Sequence, residues 1–126
     1  MKTSCTIVLS AVAGIAVGAA AVQALHAQAT PPAYTVAEFV IHNPQAFQEF
    51  SAENMKGVTA AGGRFIVLIG KRVSHLAGVQ PRSISLVGWD NFEQARAYYT
   101  SDTWKNLAPI RDKGAMFRAF LVEGAN

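Results

Sequence analysis

Residues Met116 to Val122 read MFRAFLV, and residues Arg64 to Ile69 read RFIVLI. Both runs are short and rich in aromatic and aliphatic residues, which is typical of β-strands. In a sheet with one solvated face, apolar and polar residues alternate along each strand. Neither run alternates in this way, because both carry apolar side chains on the two sides of the strand. The sequence therefore predicts a sheet that is apolar on both faces.

The rest of the chain supplies two more strands and the first helix. Ala33 to Ile41 and Arg82 to Trp89 have strand composition. Asn43-Pro44 is a typical helix start, because Asn caps well and Pro suits the first helical position. Gly62-Gly63 ends that helix, since glycine accepts the left-handed conformation found after a helix C-terminus.

Further helices are predicted between the third strand and the last. One runs from Asp90, its predicted N-terminal cap, to about Tyr99. Ser101 is the predicted cap of another short helix. Pro109 and Gly114 are expected to disturb regular structure before the last strand begins.

The order strand, helix, strand, strand, helix, strand is that of the ferredoxin-like βαββαβ fold. Right-handed crossovers place both helices on one face of a four-stranded antiparallel sheet, so the fold class is α+β. The other face would remain a large apolar patch. We therefore expect a second copy to cover it with its own bare face, giving a homodimer. A monomer whose second face is shielded by loops is the alternative.

The front of the chain differs from the rest. Thr6 to Leu25 carry no charge, Lys2 precedes them, and Ala27-Gln28-Ala29 offers the small residues that a signal peptidase reads. The pattern predicts a signal peptide over residues 1–29, a domain over residues 30–126, and an exported protein, periplasmic or secreted. An uncut N-terminal membrane anchor is the alternative, because about 20 apolar residues can span a bilayer.

Composition limits the chemistry of the domain. The sole cysteine, Cys5, would leave with the signal peptide, so no disulfide and no cysteine-bound metal are expected. The basic residues are scattered and nearly balanced by the acidic ones, unlike a nucleic-acid-binding surface. No histidines or carboxylates have the spacing of metal ligands. The sequence thus predicts no metal, no cofactor, no nucleic-acid partner and, after cleavage, no membrane association.

Several short motifs follow one another along the chain: Ala33-Tyr34, Asn43-Pro44-Gln45-Ala46-Phe47, Gly62-Gly63-Arg64-Phe65, Tyr98-Tyr99 with Ser101, Arg111, and Phe120-Leu121-Val122-Glu123-Gly124. Together they resemble domain-of-unknown-function family 1330, within the dimeric α/β-barrel superfamily. The resemblance implies a ferredoxin-like fold and sheets that pair into a dimeric α/β barrel. It implies no reaction, although the broader relatives include cofactor-independent monooxygenases, lactone isomerases and haem enzymes. Gly88-Trp89, Asp102 and Trp104 depart from the family pattern and would reshape a pocket near the second helix.

Glu38 and Arg118 are charged residues inside apolar strands, where an unpaired charge is costly. The first and last strands of this fold are antiparallel neighbours. Glu38 can then lie opposite Arg118, with Tyr34 opposite Val122. The pair would project into the cavity between subunits, either as a structural ion pair or as a polar anchor for a ligand.

An aromatic group surrounds the second helix and consists of Trp89, Tyr98, Tyr99 and Trp104. It could form a pocket for a flat apolar ligand or simply pack the core. Arg111 could close such a pocket or pair with Asp112 or Glu123. Arg64 follows the Gly-Gly turn, where it could bind an anion or hydrogen-bond the carbonyls at the helix end.

His42, at the end of the first strand, is a weak candidate for a general base, with an ordinary loop residue as the alternative. Without a recognisable catalytic constellation, the sequence favours a small-ligand-binding module that takes a small apolar or aromatic ligand. One alternative is a cofactor-independent monooxygenase- or isomerase-like enzyme acting on an aromatic or enolisable substrate. The other is a purely structural or interaction protein. The ligand-binding candidates are Glu38, Arg64, Trp89, Tyr99, Trp104, Arg111 and Arg118.

Overall fold

A four-stranded antiparallel sheet organises residues 30–126, which are the residues that the structure, a computed structural model, describes. The predicted signal peptide lies outside them. The elements in chain order are β1 (Ala33–Ile41), α1 (Pro44–Ala60), β2 (Arg64–Val67), β3 (Ser83–Trp89), α2 (Phe92–Tyr99), α3 (Asp102–Lys105), α4 (Ala108–Gly114) and β4 (Ala115–Glu123). The strands lie in the order β2-β3-β1-β4, which confirms the ferredoxin-like prediction.

Local sequence signals set the limits of α1 as predicted. The Asn43 side chain accepts a hydrogen bond from the backbone N–H of Ala46, and Pro44 occupies the first turn. At the other end, Gly62 adopts a φ of 93°, a conformation that favours glycine. The chain then turns directly into β2.

Several predicted boundaries differ in the structure by one or two residues, and two of the differences have a clear physical cause. The second strand ends at Val67 and not at Ile69, because its pairing with β3 becomes irregular after Phe65. The cap of α2 is Asn91 and not Asp90. The Asn91 side chain accepts a hydrogen bond from the backbone N–H of Gln94 at 2.8 Å.

The segment before β4 forms a helix, α4, where the sequence predicted irregular structure. Pro109 lies in its first turn, where a missing N–H costs no helical hydrogen bond. Gly114 closes the helix against α1, and a Cβ there would come within 2.6 Å of the Phe47 backbone nitrogen. The Gly114 carbonyl accepts hydrogen bonds from the backbone N–H groups of His42 and Asn43. The helix end is thereby fixed to the end of β1.

All the helices of residues 30–126 that enclose the core pack on one face of the sheet. Ala33, Ala37 and Phe39 of β1 are buried on that face and alternate with less buried neighbours. Trp89 is completely buried beside them, and its indole N–H donates to the Thr35 hydroxyl at 2.9 Å. The predicted arrangement of helices on one face is therefore confirmed.

The opposite face of the sheet, which we call the open face, is apolar as predicted. Register pairs Val40 with Met116 and Tyr34 with Val122 across β1 and β4. Large apolar side chains there are 44% to 69% exposed, namely those of Val40, Ile66, Met116, Phe120 and Val122. Within residues 30–126, no helix has the length and apolar character needed to cross a bilayer.

Candidate functional site

A pocket of about 280 Å³ lies between the helices α2 to α4 and the edge strand β4. We call it the edge pocket. Because β4 is the last strand of the sheet, its outer side is not covered by another strand of the same chain. The pocket is lined by Thr35, Arg96, Tyr99, Thr100, Trp104, Arg111, Phe117, Ala119, Phe120 and Leu121.

Aromatic side chains form one wall of the edge pocket. The rings of Tyr99 and Trp104 meet edge to face with centroids 5.0 Å apart, and Trp104 lies 5.8 Å from Phe117. The Ser101 side chain caps α3 by accepting a hydrogen bond from the Trp104 backbone N–H. This cap fixes the backbone from which the Trp104 indole extends. The wall is thus held by its own packing and presents flat apolar surface to the pocket.

Arg111 places a cation against the same wall. Its guanidinium carbon lies 4.8 Å from the centre of the Phe117 ring and 5.2 Å from that of Trp104, within cation–π range. Only 15% of the Arg111 side chain is exposed. Its Nε–H donates to the Asp112 carboxylate at 3.1 Å. The predicted role of Arg111 beside an aromatic pocket therefore has a matching geometry.

The remaining nitrogens of Arg111 are open to the surroundings. Among residues 30–126, neither Nη nitrogen has a hydrogen-bond partner, and no side-chain nitrogen or oxygen is both fully buried and unpaired. Each Nη nitrogen therefore has accessible surface. Because Arg111 lines the edge pocket, a bound molecule can reach these donors.

The charge of the lining is positive. Arg111 and Arg96 are its charged members, and the lining holds no carboxylate. Asp112 and Glu93 approach the two arginines from outside the lining, at 3.1 Å and 3.6 Å, and both carboxylates are largely exposed. The pair of Arg96 with Glu93 is exposed on both sides and therefore weak. Asp112 offsets part of the charge of the largely buried Arg111. The pocket therefore combines an apolar aromatic wall with guanidinium groups.

Burial keeps the two tyrosines of α2 protonated to unusually high pH. It raises the pKa of Tyr98 from 10.0 to about 12, and neighbouring Tyr99 adds to the increase. Burial also raises the pKa of Tyr99, while the Thr35 hydroxyl acts in the opposite direction. At neutral pH the Tyr99 hydroxyl in the pocket is a neutral hydrogen-bonding group. The Tyr98 hydroxyl faces away and donates to the Asn54 side chain at 2.9 Å.

Three of the predicted ligand-binding residues, Tyr99, Trp104 and Arg111, meet in the edge pocket. Trp89 lies behind the wall, completely buried, with its ring 5.8 Å from that of Tyr99. It supports the pocket and does not line it. Arg64 lies elsewhere and forms an exposed ion pair with Asp90 at 2.9 Å.

Glu38 and Arg118 lie on the open face. The predicted register is confirmed, with Glu38 opposite Arg118 and Tyr34 opposite Val122. Arg118 donates to one Glu38 oxygen through Nε at 3.0 Å and through Nη2 at 2.6 Å. The pair borders a shallow groove of about 500 Å³.

His42 is exposed in a bend after β1 and does not line the edge pocket. Its backbone N–H donates to Gly114, as described above. Within residues 30–126, no three histidine, cysteine or acidic side chains gather where they could hold a metal ion.

Sequence comparison identifies the family of this chain. Residues 32–125 match the model of a domain of unknown function, DUF1330. The chain belongs to the DUF1330 family. This agrees with the resemblance noted from the order of its motifs. No curated protein matches the chain.

Solved structures share the fold of this DUF1330 domain at low sequence identity. SnoaB, a cofactor-independent oxygenase from Streptomyces nogalater, has a TM-score of 0.59 at 12% identity, with 77% of this chain and 96% of that chain covered. RPA0582 from Rhodopseudomonas palustris, of unknown function, has a TM-score of 0.59 at 10% identity, with coverages of 76% and 84%. A dimeric ferredoxin-like protein of unknown function from Thermobifida fusca has a TM-score of 0.50 at 14% identity, with coverages of 75% and 92%. At such identities the likeness establishes the fold.

Sequence reasoning missed several pocket residues of the DUF1330 domain. Phe117 was assigned to β4, but its position beside Arg111 depends on how α4 folds back. Thr35 carries a signal that could have been used, because a polar residue between Ala33 and Ala37 on a buried face needs a partner. The sequence around Arg96 gives no sign of a pocket residue, since its pattern is that of an ordinary exposed residue on a helix.

The tyrosine pKa values predict a pH-dependent loss of stability. Above pH 10 the unfolded chain releases the Tyr98 proton while the folded chain retains it, so the free energy of unfolding falls as pH rises from about 10 to about 12. The slope from one such group is at most about 1.4 kcal/mol per pH unit. Tyr98→Phe should make this fall shallower, although it lowers stability at neutral pH by removing the bond to Asn54. Urea unfolding at several pH values measures both the free energy of unfolding at neutral pH and its slope with pH. Equal slopes in wild type, Tyr98→Phe and the control Tyr34→Phe would contradict the assignment.

Proposed function

We propose that this DUF1330 domain is a small-ligand-binding module that takes a flat aromatic ligand into the edge pocket. The observation that carries the proposal is the convergence of Tyr99, Trp104 and Arg111 on one cavity. They come from three different helices, α2, α3 and α4, and meet against β4. An apolar cavity with a few polar groups directed at it is the usual form of a ligand site.

The size of the edge pocket limits the ligand to a small molecule. Its volume of about 280 Å³ lies just below the usual range for ligand pockets, roughly 300–1,000 Å³. An engineered cavity of about 150 Å³ is enough to bind benzene. A compound of one or two rings is therefore the expected occupant.

The lining favours binding over catalysis by proton transfer. It contains no histidine, aspartate or glutamate. Burial raises the pKa of the Tyr99 hydroxyl, which makes it a poor base at neutral pH. His42, the candidate base for the enzyme alternative, is exposed and outside the pocket lining. No residue of the lining thus supplies the base that the enzyme alternative would need.

A neutral two-ring probe tests the proposal. We expect 2-naphthamide to bind the domain with a Kd of about 1 mM or below, since its roughly 13 non-hydrogen atoms at about 0.3 kcal/mol each give about 4 kcal/mol. Ala119→Phe, which places a ring in the pocket lining, should weaken binding about tenfold or more. Tryptophan fluorescence and calorimetry measure the affinity.

The matched control is Ala60→Phe, which adds the same ring on the exposed side of α1, away from the pocket lining. It should leave the Kd within about twofold of wild type, because independent distant sites do not couple. Binding that is unaffected by Ala119→Phe would exclude the edge pocket as the site, and absence of binding in wild type would show that the pocket takes no neutral two-ring ligand.

We also propose that two copies pair through their open faces. The exposed side chains of Ile66, Phe120 and Val122 form a continuous apolar surface with their neighbours on adjacent strands. The charges of Glu38 and Arg118 neutralise each other within one chain, which lowers the cost of covering them. The Thermobifida fusca protein of the same fold is dimeric, which is consistent with this assembly. Most of the edge-pocket lining faces the helices and not the open face.

Export through a cleaved signal peptide is the third part of the proposal. It rests on the charge-free stretch after Lys2 and on Ala27-Gln28-Ala29. Expression of this sequence in the natural host should yield a periplasmic or secreted protein. Its N-terminal sequence should begin at Thr30, and its mass should be that of residues 30–126. A protein that keeps residues 1–29 and fractionates with the membrane would instead support the anchor alternative.

A further inference from the structure

We infer that the ligand of the edge pocket is an aromatic carboxylate, with its ring on the aromatic wall and its carboxylate on Arg111. The inference rests on the proposed function, because it names the chemical class of the molecule that the pocket takes. It comes from the unused donors of Arg111 and from the sign of the charge around them.

The surroundings of Arg111 leave its outer edge free. The planar guanidinium offers five N–H donors, and only the Nε–H is engaged, by Asp112. Phe117 and Trp104 lie close to the guanidinium carbon at 4.8 Å and 5.2 Å, where they remove water from around the cation. The two Nη groups keep accessible surface and have no partner among residues 30–126. They form the fork that recognises a carboxylate through two parallel hydrogen bonds.

Filling the pocket changes the surroundings of this fork. A neutral apolar ligand would displace water from the Nη groups without replacing the lost hydrogen bonds, which is costly for a charged group. A carboxylate replaces that water with charge-assisted hydrogen bonds. A cationic ligand would meet Arg111 and Arg96 with no carboxylate in the lining to offset them. The pocket therefore selects for an anion among ligands of equal size.

The wall restricts which anion is accepted. Tyr99, Trp104 and Phe117 present flat apolar surfaces, and the guanidinium is itself planar. A carboxylate conjugated to an aromatic ring is coplanar with that ring, so ring and charge can enter the pocket in one plane. A small inorganic anion such as phosphate would leave the aromatic wall uncovered, whereas an aromatic carboxylate covers both the wall and the fork.

The test compares two probes of the same shape, 2-naphthoate and 2-naphthamide, on the wild-type domain over residues 30–126. Residues Pro31–Asn126 form one compact unit. We expect the carboxylate to bind about tenfold more tightly or better, because hydrogen bonds between charged groups are among the strong ones. The preference should shrink as salt concentration rises.

Variants of Arg111 test whether its guanidinium causes the preference for the carboxylate over the amide. Arg111→Met keeps an apolar side chain but removes the fork, and should bring the two affinities within about twofold. Arg111→Lys keeps the charge without the fork and should give an intermediate ratio, which preserves the test if the Met variant does not fold. Arg64→Met is the control, because it removes a guanidinium paired with Asp90 away from the pocket lining, and should keep the wild-type ratio.

The outcomes separate this inference from the proposed function. If the amide and the carboxylate bind wild type equally well, or if Arg111→Met keeps the preference, the carboxylate assignment is wrong while the edge pocket remains a ligand site. If neither probe binds, both proposals fail. Loss of the preference in Arg64→Met as well as in Arg111→Met would show that overall charge, and not the fork of Arg111, causes it.

Discussion

One sheet with two apolar faces is the constraint on which this structure depends. The helices of residues 30–126 cover one face, where Trp89, Phe50 and Val58 are fully buried. None of these helices is left to cover the other face, because the βαββαβ order and right-handed crossovers place them on the same side of the sheet. The open face keeps a row of large apolar side chains in contact with water. A surface of this kind is uncommon on soluble monomers and is typical of an interface.

The strand β4 separates the two roles that we assign to the molecule. Its residues alternate between faces, so Phe117, Ala119 and Leu121 face the helices while Met116, Arg118, Phe120 and Val122 belong to the open face. The first set lines the edge pocket and the second contributes to the proposed dimer surface. Phe120 lines the pocket as well, and its side chain is 51% exposed. A partner that covers the open face would therefore contact one residue of the pocket lining.

Much of this arrangement could be predicted from the sequence. It follows from the spacing of apolar residues along the chain and from the alternation of side chains between the two faces of a strand. Apolar runs on both sides of a strand predicted the open face. The pairing of Glu38 with Arg118 followed from the antiparallel neighbourhood of the first and last strands, and the register confirmed it. Asn43 and Ser101 were identified as caps because such residues bond to the backbone close to them in sequence.

The rest depended on tertiary contacts that no local pattern contains. Asp90 reads as a helix cap, but its carboxylate pairs with Arg64 at the start of the neighbouring strand β2, and Asn91 caps the helix instead. The helix α4 was missed because Pro109 reads as a breaker until its place in the first turn is known. For the same reason the sequence could name Arg111 as a pocket residue but could not identify Phe117 as its partner.

The number of copies that associate in solution tests the central claim most directly. Sedimentation of the domain over residues 30–126 at micromolar concentration measures this number. We predict the mass of two copies for wild type. Val36→Glu, at the centre of the open face, should give a folded single copy, whereas Thr59→Glu on the exposed side of α1 should remain paired. A wild-type domain that sediments as one copy, folded and soluble, would contradict the claim that another subunit covers this sheet.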